Sequence, residues 1–440
     1  MVEKEYLVLP GCDDTNRGDQ ALIWETVELA QKAGFIGHYS MIATEECGKQ
    51  SKTVGIDSLA YLLPHPSMHA RSDSDNRSYG ISLKIKWAAS AFRDLLVAYP
   101  LSKKATRSIA AKFLSPDQKR TYEVYKNAKA AFVKGGGFLH AYEGLTDTYK
   151  IYFFLYHINM ALSMGIPVYI MPNSYGPFAS RSSRRMVKKC LSKCQLVYSR
   201  ESISQAVLMN DCGVESILSR DLAMYLEKDH NFNSRAYLIK QGIIIEEGKT
   251  VGITVRPYRF PGEPNPEELY SHYKESVCNL ILWLLENNYH PVLIEHVFSE
   301  NYHERDIICI NEIVDSIKKK GKKVDVFSDL ALNCKQMKAI YAEMDYLVGT
   351  RFHSVIFSLT EKVPVIAITY GGNKGDGIMK DVGLSDYAVP IDSLSGEVLI
   401  EKFKSIVENR DAVNRCIEKN DYQIAKDFET IVSDLRGNNR

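Results

Sequence analysis

The chain has 440 residues, 25% charged and 45% apolar, which is typical of a globular protein of two or three domains and excludes disordered, collagen-like and coiled-coil chains. Its 55 basic and 54 acidic residues balance, so net charge alone indicates no partner. The charge is unevenly distributed, however. Residues 1–240 contain 31 Lys or Arg and 23 Asp or Glu (net +8), which leaves 24 and 31 (net −7) for residues 241–440. This asymmetry predicts two domains, the first with an anion-facing surface.

Features of the sequence also bear on the compartment. The nine cysteines form no CxxC pair and have no metal-type spacing, which favours reduced thiols in a cytoplasmic protein. The amino terminus lacks the apolar segment of a signal peptide. No charged residue occurs from Ile151 to Ser180, but the polar and helix-breaking residues within this span favour a buried helix and strand over a transmembrane helix. We therefore expect a soluble protein.

Short apolar runs alternate with amphipathic, helix-length segments in the first half of the chain. The predicted strands are Tyr6–Pro10, Tyr39–Ala43, Ala131–Lys134, Pro167–Met171 and Leu196–Ser199. The predicted helices are Gln20–Ala33, Tyr149–Met164 and Arg181–Lys193. Residues 64–120 interrupt this alternation as a basic insertion that no recognised motif covers.

The alternation starts again after the polar stretch Lys228–Lys249, which is the predicted domain junction. The predicted strands are Val251–Arg256, Pro291–His296, Val324–Phe327, Tyr346–Gly349 and Pro364–Thr369. The predicted helices are Glu267–Asn287, Arg305–Lys319, Lys335–Glu343 and Ser354–Thr360. Such alternation gives parallel sheets covered by helices. We predict an α/β fold with two Rossmann-like domains, residues 1–240 and 241–440, that face one another across a cleft and bind ligands at the carboxyl ends of their strands.

Several loops of the first domain contain candidate site residues. The segment Gly11–Ala21 is neither a Walker loop nor a GxGxxG fingerprint, but it offers backbone N–H groups and has Asn16 and Asp19 at cap positions. The alternative is that Asp19 only caps the helix. Three consecutive glycines let a backbone approach an anion, although a tight turn is the alternative. Further candidates at strand ends are Gly135, Gly136, Gly137, Asn173, Ser174 and Arg200.

The second domain has a denser set of candidates. Arg351, His353 and Ser354 lie between a predicted strand and helix, and Lys374 lies in the glycine-rich segment after the next strand. Arg256, at the end of the domain's first strand, adds a further charge. Cations and a histidine at a helix start predict an anion site that also transfers a proton, whereas a lone histidine is more often structural.

These segments together resemble the polysaccharide pyruvyl transferases. The matching pieces, in the order of that family, are Asn16–Ala21, Gly135–Gly137, Asn173–Pro177, Tyr198–Ser202, Gly349–Ser354, and Val363–Tyr370 followed by Lys374. The resemblance implies a GT-B-like pair of domains, phosphoenolpyruvate as the donor and a hydroxyl pair of a glycan as the acceptor. The product is a pyruvate ketal on a precursor of a surface or capsular polysaccharide, and phosphate is released.

That reaction suggests roles for the candidate residues. Arg351 and Lys374, with Arg200, Arg256 and Ser354, are expected to bind the donor's phosphate and carboxylate. His353 is expected to protonate the vinyl carbon, and Asp19 to accept a proton from the acceptor hydroxyl. The loops with Asn16, the three glycines, Asn173 and Ser174 are expected on the acceptor side. No cofactor or metal is expected, because cations of the chain neutralise the phosphate.

Two alternatives remain open at this level. One is a GT-B glycosyltransferase with a nucleotide-sugar donor, because one fold serves many reactions. Against it, a nucleotide site usually has a ribose-binding carboxylate after the anion loop, and residues 351–360 contain no acid. The other is a glycan-binding protein without catalytic activity. The identity of the sugar and the oligomeric state cannot be read from the sequence, and nothing in it indicates nucleic-acid binding.

Two basic segments bear on the cellular location of the protein. Ile81–Val97 mixes Trp87 and aliphatic residues with three cations, and Arg181–Lys193 has six cations and no acid. This mixture is typical of interfacial helices, so we expect peripheral binding to the inner face of the cytoplasmic membrane and a lipid-linked acceptor. The alternative is that both helices pack on the domain and leave their cations in water.

Overall fold

The structure, a computed structural model, describes residues 4–11, 13–68, 81–142, 144–371 and 374–439, except for the side chains of Ser67, Leu145 and Lys374. The described chain forms two compact units. The first unit contains the chain up to Asp14, Leu22–Leu222 and the chain from Lys426 onward. The second unit contains Thr15–Ala21 and Ala223–Ala425.

The first unit is built on a parallel sheet. Its strands are β1 (Glu5–Leu9), β2 (His38–Ile42), β3 (Ile56–Leu59), β4 (Ala128–Val133), β5 (Gly136–Ala141), β6 (Val168–Phe178), β7 (Leu196–Ser199) and β8 (Ile217–Leu218). They lie in the order β3-β2-β1-β4-β6-β7-β8, and β5 pairs with the second half of β6. Strands β1, β4 and β6 are almost wholly buried, as their near-continuous apolar runs require.

Helices cover this sheet and form the insertion. They are α1 (Arg17–Lys32), α2 (Lys49–Thr53), α3 (Ile81–Leu101), α4 (Arg107–Ala110), α5 (Pro116–Asn127), α6 (Leu145–Ser163), α7 (Arg181–Leu191) and α8 (Ser202–Val207). The described part of the insertion is helical, and its residues Ala98, Leu101 and Leu114 join the core of the unit. The uncharged span from Ile151 begins within α6 and continues into β6, as the sequence predicts.

The second unit has a parallel sheet of six strands in the order β11-β10-β9-β12-β13-β14. The strands are β9 (Thr250–Thr254), β10 (His290–Ile294), β11 (Asp325–Phe327), β12 (Tyr346–Gly349), β13 (Val365–Thr369) and β14 (Ala388–Pro390). The helices are α9 (Ser234–Lys240), α10 (Pro266–Glu286), α11 (Asp306–Lys319), α12 (Cys334–Tyr341), α13 (Phe352–Thr360), α14 (Lys374–Asp381), α15 (Gly396–Glu408) and α16 (Arg410–Gly437).

These observations confirm the predicted α/β class with two parallel-sheet domains. All ten predicted strands are present, but two predicted loops are not loops. Asn173 and Ser174 lie inside β6, which extends to Phe178 because its first half pairs with β4 and its second half with β5. Gly136 and Gly137 belong to β5 itself.

The boundaries of the units differ from the predicted junction at residues 240 and 241. The second unit already begins at Ala223, and α16 ends in the first unit because its last turns pack there. Tyr198 donates a 2.6 Å hydrogen bond to Asp434, and Ile431 and Leu435 are fully buried. The segment Thr15–Ala21 leaves the first unit because its contacts are made to the second.

Two further observations concern the compartment predictions. Within the described residues, no helix combines the length and the apolar character needed to cross a membrane. The eight cysteines of the described residues are free thiols, so none of them is bridged.

Candidate functional site

Polar side chains gather at one edge of the second sheet. Arg256 follows β9, His296 follows β10, and Arg351 follows β12. These three strands are neighbours and run parallel, so their carboxyl ends meet at the same edge. Arg256 and Arg351, both predicted for the anion site, are thereby brought together with His296, which the sequence does not single out.

Arg351 is engaged by two acidic residues that are distant in sequence. Its Nε donates a 2.7 Å hydrogen bond to Asp306 Oδ1, and its Nη2 lies 2.6 Å from the same oxygen. The guanidinium also donates to the backbone oxygen of Glu304 and contacts the Glu304 carboxylate at 3.3 Å. Arg256 donates to Glu304 at 2.9 Å and to the hydroxyl of Tyr370 at 2.6 Å. Two guanidiniums and two carboxylates therefore form one cluster.

The electrostatics of this cluster favour internal pairing. Burial raises the pKa of Asp306 above its usual value, and the Arg351 guanidinium opposes that rise. Burial alone also disfavours ionised Glu304, yet Arg256 and Arg351 bring the pKa of Glu304 below its usual value. Because both carboxylates pair with the arginines, Arg351 is largely neutralised before any ligand arrives. Arg351, which the sequence predicts as a donor ligand, is paired in this way because the fold brings Glu304 and Asp306 close to it.

The loop after β1 forms part of this edge. Thr15 O accepts a 2.8 Å hydrogen bond from the Phe298 amide, and Asn16 forms a β-bridge with Val297. Arg17 is 1% exposed; its Nη2 donates a 2.6 Å hydrogen bond to Leu330 O, and its guanidinium lies 4.9 Å from the centre of the Phe298 ring. Backbone and side-chain contacts thus hold the start of α1 beside the ends of β10 and β11.

Gly18 brings this loop into contact with His353. A Cβ atom on Gly18 would lie 2.0 Å from Nδ1 of His353, so only a glycine leaves room for the imidazole in this position. One residue further, Asp19 accepts a 3.0 Å hydrogen bond from the side-chain amide of Asn16, whose Oδ1 caps the helix by accepting from the amides of Gly18 and Asp19. Asn16 is therefore the cap, and Asp19 lies in the first turn. The structure places the predicted acid His353 next to the loop of the predicted base Asp19.

A second histidine lies close by. His296 is 1% exposed, and its Nδ1 lies 3.0 Å from the hydroxyl of Tyr341. No hydrogen-bond partner of its Nε2 lies within the described part of the chain. Burial lowers the pKa of His296 well below its usual value, and the charges of His353, Arg351 and Arg17 lower it further. We therefore expect His296 to be neutral beside His353.

Two helices begin at this edge, directly after neighbouring strands. Helix α13 begins at Phe352 after β12, and α14 begins at Lys374 after β13. Ser354 is fully buried and donates a 2.6 Å hydrogen bond to Arg351 O, so its hydroxyl closes the first turn of α13. Gly372 and Asn373 lie outside the described residues, as does the side chain of Lys374.

Arg200 lies in the first unit and is paired there. Its Nη1 donates a 2.5 Å hydrogen bond to Asp221, its Nε donates to Ser174 Oγ at 2.7 Å, and Glu201 lies 3.4 Å away. Asn173 is fully buried, and its amide donates to the backbone oxygens of Lys134 and Met171. These residues stabilise the ends of β6 and β7. The structure gives no support for donor binding by Arg200, because two acids already surround its guanidinium.

The three glycines also have a packing role. A Cβ atom on Gly135 would lie 2.9 Å from the backbone oxygen of Pro172, and Gly136 has a φ of 140°, which favours glycine. Gly137 O accepts a 3.0 Å hydrogen bond from the His140 ring. The glycines therefore let the chain pass closely from β4 into β5, and this arrangement does not require a bound anion.

Sequence reasoning missed Glu304, Asp306, His296 and the role of Arg17. Asp306 is the first residue of α11, where an acid is a common helix-start signal, and Glu304 precedes it by two residues. Arg17 is part of the quoted motif segment, but the sequence does not show that it packs on Phe298. The cations at strand ends are visible in the sequence, whereas the acids that pair with them are brought close only by the fold.

Solved structures with a similar fold are UDP-GlcNAc 2-epimerases. The enzyme from Neisseria meningitidis, bound to UDP-GlcNAc, matches with a TM-score of 0.54 and 12% identity over 98% of this chain and 99% of that one. A putative enzyme from Listeria monocytogenes matches with a TM-score of 0.57 and 10% identity over 99% and 97%. At this identity the likeness concerns the fold alone, and it supports the GT-B-like class.

Sequence comparisons are more specific. The amylovoran biosynthesis protein AmsJ of Erwinia amylovora is 25% identical over 270 residues, which is 60% of this chain and 63% of that protein, so the match spans less than two thirds of the relative. The family model for polysaccharide pyruvyl transferase matches residues 16–372. The matched range begins at Asn16 of the loop that packs on His353 and contains the whole cluster of Arg256, Glu304, Asp306 and Arg351. The chain belongs to the polysaccharide pyruvyl transferase family.

Proposed function

We propose that the protein transfers pyruvate from phosphoenolpyruvate to a hydroxyl pair of a glycan and releases phosphate. The observation that carries this proposal is the contact between Gly18 and His353, at the edge where two helices begin. Phosphoenolpyruvate is an anionic enol ester, so its reaction needs an anion site, a proton donor and a base. The helix N-termini, His353 and the acidic first turn of α1 suit these three needs. Family membership supports the transfer of pyruvate to a polysaccharide.

The donor is best accommodated at the starts of α13 and α14. Phosphoenolpyruvate carries a phosphate and a carboxylate, and the N-terminal amides of helices attract such anions. Lys374, the first residue of α14, adds a cation. Arg256 is paired with Glu304, but its side chain is 13% exposed against 7% for Arg351, and it is proposed to contribute charge to the donor site. Arg351 positions the loop before α13 through Asp306. We therefore assign donor binding to the two helix starts, Lys374 and Arg256, and not to Arg200.

The reaction is a stepwise addition and elimination. His353 protonates the terminal vinyl carbon, and one glycan hydroxyl adds to the central carbon while its proton passes to a base. The bond between that carbon and the phosphate oxygen then breaks, phosphate leaves with the bonding electrons, and an oxocarbenium carbon remains. The second hydroxyl adds to this carbon and closes the ketal ring, and its proton passes to His353, which gave up its own proton in the first step. Asp19 is the proposed base, held in the first turn of α1 by Asn16.

The acceptor is a glycan that belongs to a polysaccharide precursor. Asn16 shapes the acceptor side only indirectly, by holding Asp19. The buried positions of Asn173 and Ser174, and the close packing of Gly135, give these residues a structural role instead. The acceptor side is therefore proposed beside Asp19, on the loop Thr15–Ala21.

Phosphate release tests the reaction and its rival. The purified chain is incubated with phosphoenolpyruvate and a panel of hexosides with free hydroxyl pairs, and in parallel with UDP-sugars. We expect acceptor-dependent phosphate release and a product whose mass rises by one pyruvate less one water. UDP release without phosphate release would instead identify a nucleotide-sugar glycosyltransferase. Glycan binding without either product would identify a non-catalytic protein.

Two variants connect the reaction to the site. His353→Gln is expected to lower turnover by about 10²–10⁴-fold, since this is the typical contribution of general acid catalysis. Lys374→Ala is expected to weaken donor binding, because a hydrogen bond to a charged group contributes about 1.5–3 kcal/mol. His230→Asn, at an exposed position, is the matched control and should keep wild-type turnover. If His353→Gln keeps wild-type turnover and only loses donor affinity, His353 is an anion ligand and not the acid.

A further inference from the structure

Helix α3 presents an apolar stripe to solvent. The exposed apolar side chains of this helix follow one another at intervals of three, four or seven residues. At 100° per residue they therefore fall within an arc of about 60° on one side of the helix. The members are Ile81, Ile85, Phe92, Leu96 and Tyr99, each more than half exposed and Ile81 77% exposed. We call these five residues the α3 stripe. Ile109 and Phe113, from the short helices that follow, are also exposed.

The opposite side of α3 packs against the core of the first unit. Ala98 and Leu101 are fully buried, and Ala98 O accepts a 2.8 Å hydrogen bond from the hydroxyl of Tyr156 on α6. The α3 stripe therefore lies outside the core of the unit. Contiguous apolar surface of this kind is uncommon on soluble proteins and marks an interaction site.

Cations flank the α3 stripe. Residues 81–113 contain seven Lys or Arg and one acid, Asp94, which pairs with Arg93 at 3.1 Å. At 100° per residue, Lys84 falls on one side of the stripe, and Lys86 and Arg93 fall on the other. The Nζ of Lys103 lies 4.7 Å from the centre of the Tyr99 ring, at the carboxyl end of the stripe. We call these cations the rim.

A second basic helix lies on the same side of the sheet. Helix α7 packs against α6, and so does α3 through Tyr156 and Ala98. The six Lys and Arg residues from Arg181 to Lys193 are all exposed, although Arg184 also donates to Phe178 O at 2.7 Å. These six cations increase the positive charge of the same unit.

We propose that the α3 stripe and its rim dock on the surface of an anionic lipid bilayer, with α3 parallel to the membrane plane. Apolar side chains bordered by cations suit the boundary between headgroups and acyl chains. Pairing of two copies through this face is disfavoured, because it would bring two cationic rims together. The inference does not depend on the proposed reaction, since vesicle binding needs neither donor nor acceptor.

Vesicle flotation with the full chain tests this inference. Vesicles of phosphatidylcholine alone are compared with vesicles that contain about one third phosphatidylglycerol, each at low and physiological salt. We expect binding to the anionic vesicles that weakens as salt screens the charges. Negligible binding to both lipids at low salt, or equal binding to both, would overturn the proposal and leave the transferase assignment untouched.

Matched variants distinguish binding through the α3 stripe from nonspecific adsorption of exposed apolar side chains. Phe92→Ser removes a stripe residue, and Ile36→Ser removes a side chain of the same unit that is equally exposed, at 67%. We expect the Phe92 variant to lower the partition coefficient by about 10- to 100-fold, which corresponds to the loss of one buried side chain, and the Ile36 variant to bind as the wild type does. Both positions are exposed, so equal thermal midpoints verify that both variants fold. Equal loss in the two variants would refute a role for the stripe.

Charge variants test the rim. Lys84→Gln with Lys86→Gln should lower binding to anionic vesicles about 30-fold, because each cation near such a surface contributes about fivefold. Lys318→Gln with Lys319→Gln removes two exposed cations of α11 in the second unit and should have no effect. An unchanged affinity of the first pair would contradict the rim. A dimer that dissociates in Phe92→Ser, without vesicle binding by the wild type, would identify a second copy as the occupant.

Discussion

At the scale of single residues, the glycine at position 18 leaves the space for the imidazole of His353, the proposed acid. Its missing side chain leaves the space that His353 occupies, and any Cβ atom would require the imidazole to move. This explains why the motif segment Asn16–Ala21 has a glycine in a helical first turn, where glycine otherwise destabilises a helix.

The variant Gly18→Ala tests this coupling. We expect turnover to fall by a factor of the same order as in His353→Gln, about 10²-fold or more, because the displaced ring no longer reaches the vinyl carbon. Donor affinity, measured by calorimetry with phosphoenolpyruvate, should change much less. Gly437→Ala is the control, since a Cβ atom there contacts nothing within 4 Å. Wild-type turnover in Gly18→Ala would mean that the position of the His353 ring does not matter for the reaction.

Arg351 acts on stability through Asp306. Removing one partner of a buried ion pair typically costs about 3–5 kcal/mol, because the remaining charge stays buried. We expect Arg351→Ala to lower the free energy of unfolding by about that amount in urea titrations. This expectation differs from the one that the sequence alone suggests, a donor ligand whose removal leaves the fold intact.

The pH dependence identifies the cause of that loss. Burial raises the pKa of Asp306, and without Arg351 the pKa rises further. A folded-state pKa above the unfolded value means that the folded state binds the proton more tightly, so the destabilisation of Arg351→Ala is full above that pKa and shrinks as the pH falls through it. Arg351→Ala combined with Asp306→Asn should recover part of the loss at neutral pH. A loss that is independent of pH in the single variant would point to lost packing instead.

At the scale of elements, the sequence predicts the strands well and their ends less well. Apolar runs of four or five residues suffice to find β7 and β12, whose predicted and observed bounds coincide. The extension of β6 is not predictable, because it depends on β5, a strand that begins with two glycines and therefore reads as a loop. Pairing between distant segments overrides local propensity here.

Contacts between segments that are distant in sequence also limit what can be predicted about the site. The position of His353 at a sheet edge follows from its place after a predicted strand, so it is readable from the sequence. The assignment of the Asn16 loop to the second unit is not, because this loop follows a strand of the first unit. The pairing of Arg351 with Asp306 is not readable, since 45 residues separate the two side chains along the chain. Which cations remain for a ligand depends on the acids that the fold brings to them.

Helix α6 contains a histidine that makes folding depend on pH. His157 is 2% exposed; its Nδ1 lies 3.0 Å from the hydroxyl of Tyr125, and burial lowers its pKa from 6.5 to about 3. Between these values the unfolded chain binds more protons than the folded one, so stability decreases as the pH falls below about 6.5. The expected slope from this residue is about 1.4 kcal/mol per pH unit.

Urea unfolding of His157→Phe between neutral and acidic pH measures this contribution. The difference in unfolding free energy between variant and wild type should move in favour of the variant as the pH falls, because phenylalanine carries no proton. Tyr125 keeps the backbone oxygen of residue 157 as an acceptor, so the substitution leaves its hydroxyl partnered. Parallel curves for wild type and His157→Phe would show that His157 ionises in the folded protein.

At the scale of the whole molecule, the two units differ in charge and in the groups that they contribute. The first unit contains the α3 stripe and basic α7. The second unit contains the helix starts proposed for the donor, and the loop Thr15–Ala21 belongs to this second unit. Membrane docking and donor binding are therefore predicted to act on different units.

Hydrogen–deuterium exchange with phosphoenolpyruvate tests this division. A ligand at 100 times its dissociation constant stabilises the state that binds it by about 2.7 kcal/mol, so amides that exchange through opening of the site slow by up to about 100-fold. We expect protection in peptides that contain residues 15–21, the start of α13 and the start of α14. Inorganic phosphate should protect the same helix starts more weakly, because it lacks the carboxylate. Protection confined to β5 and β6, with the second unit unchanged, would place the donor at the glycine segment of the first unit and refute the assignment to α13 and α14.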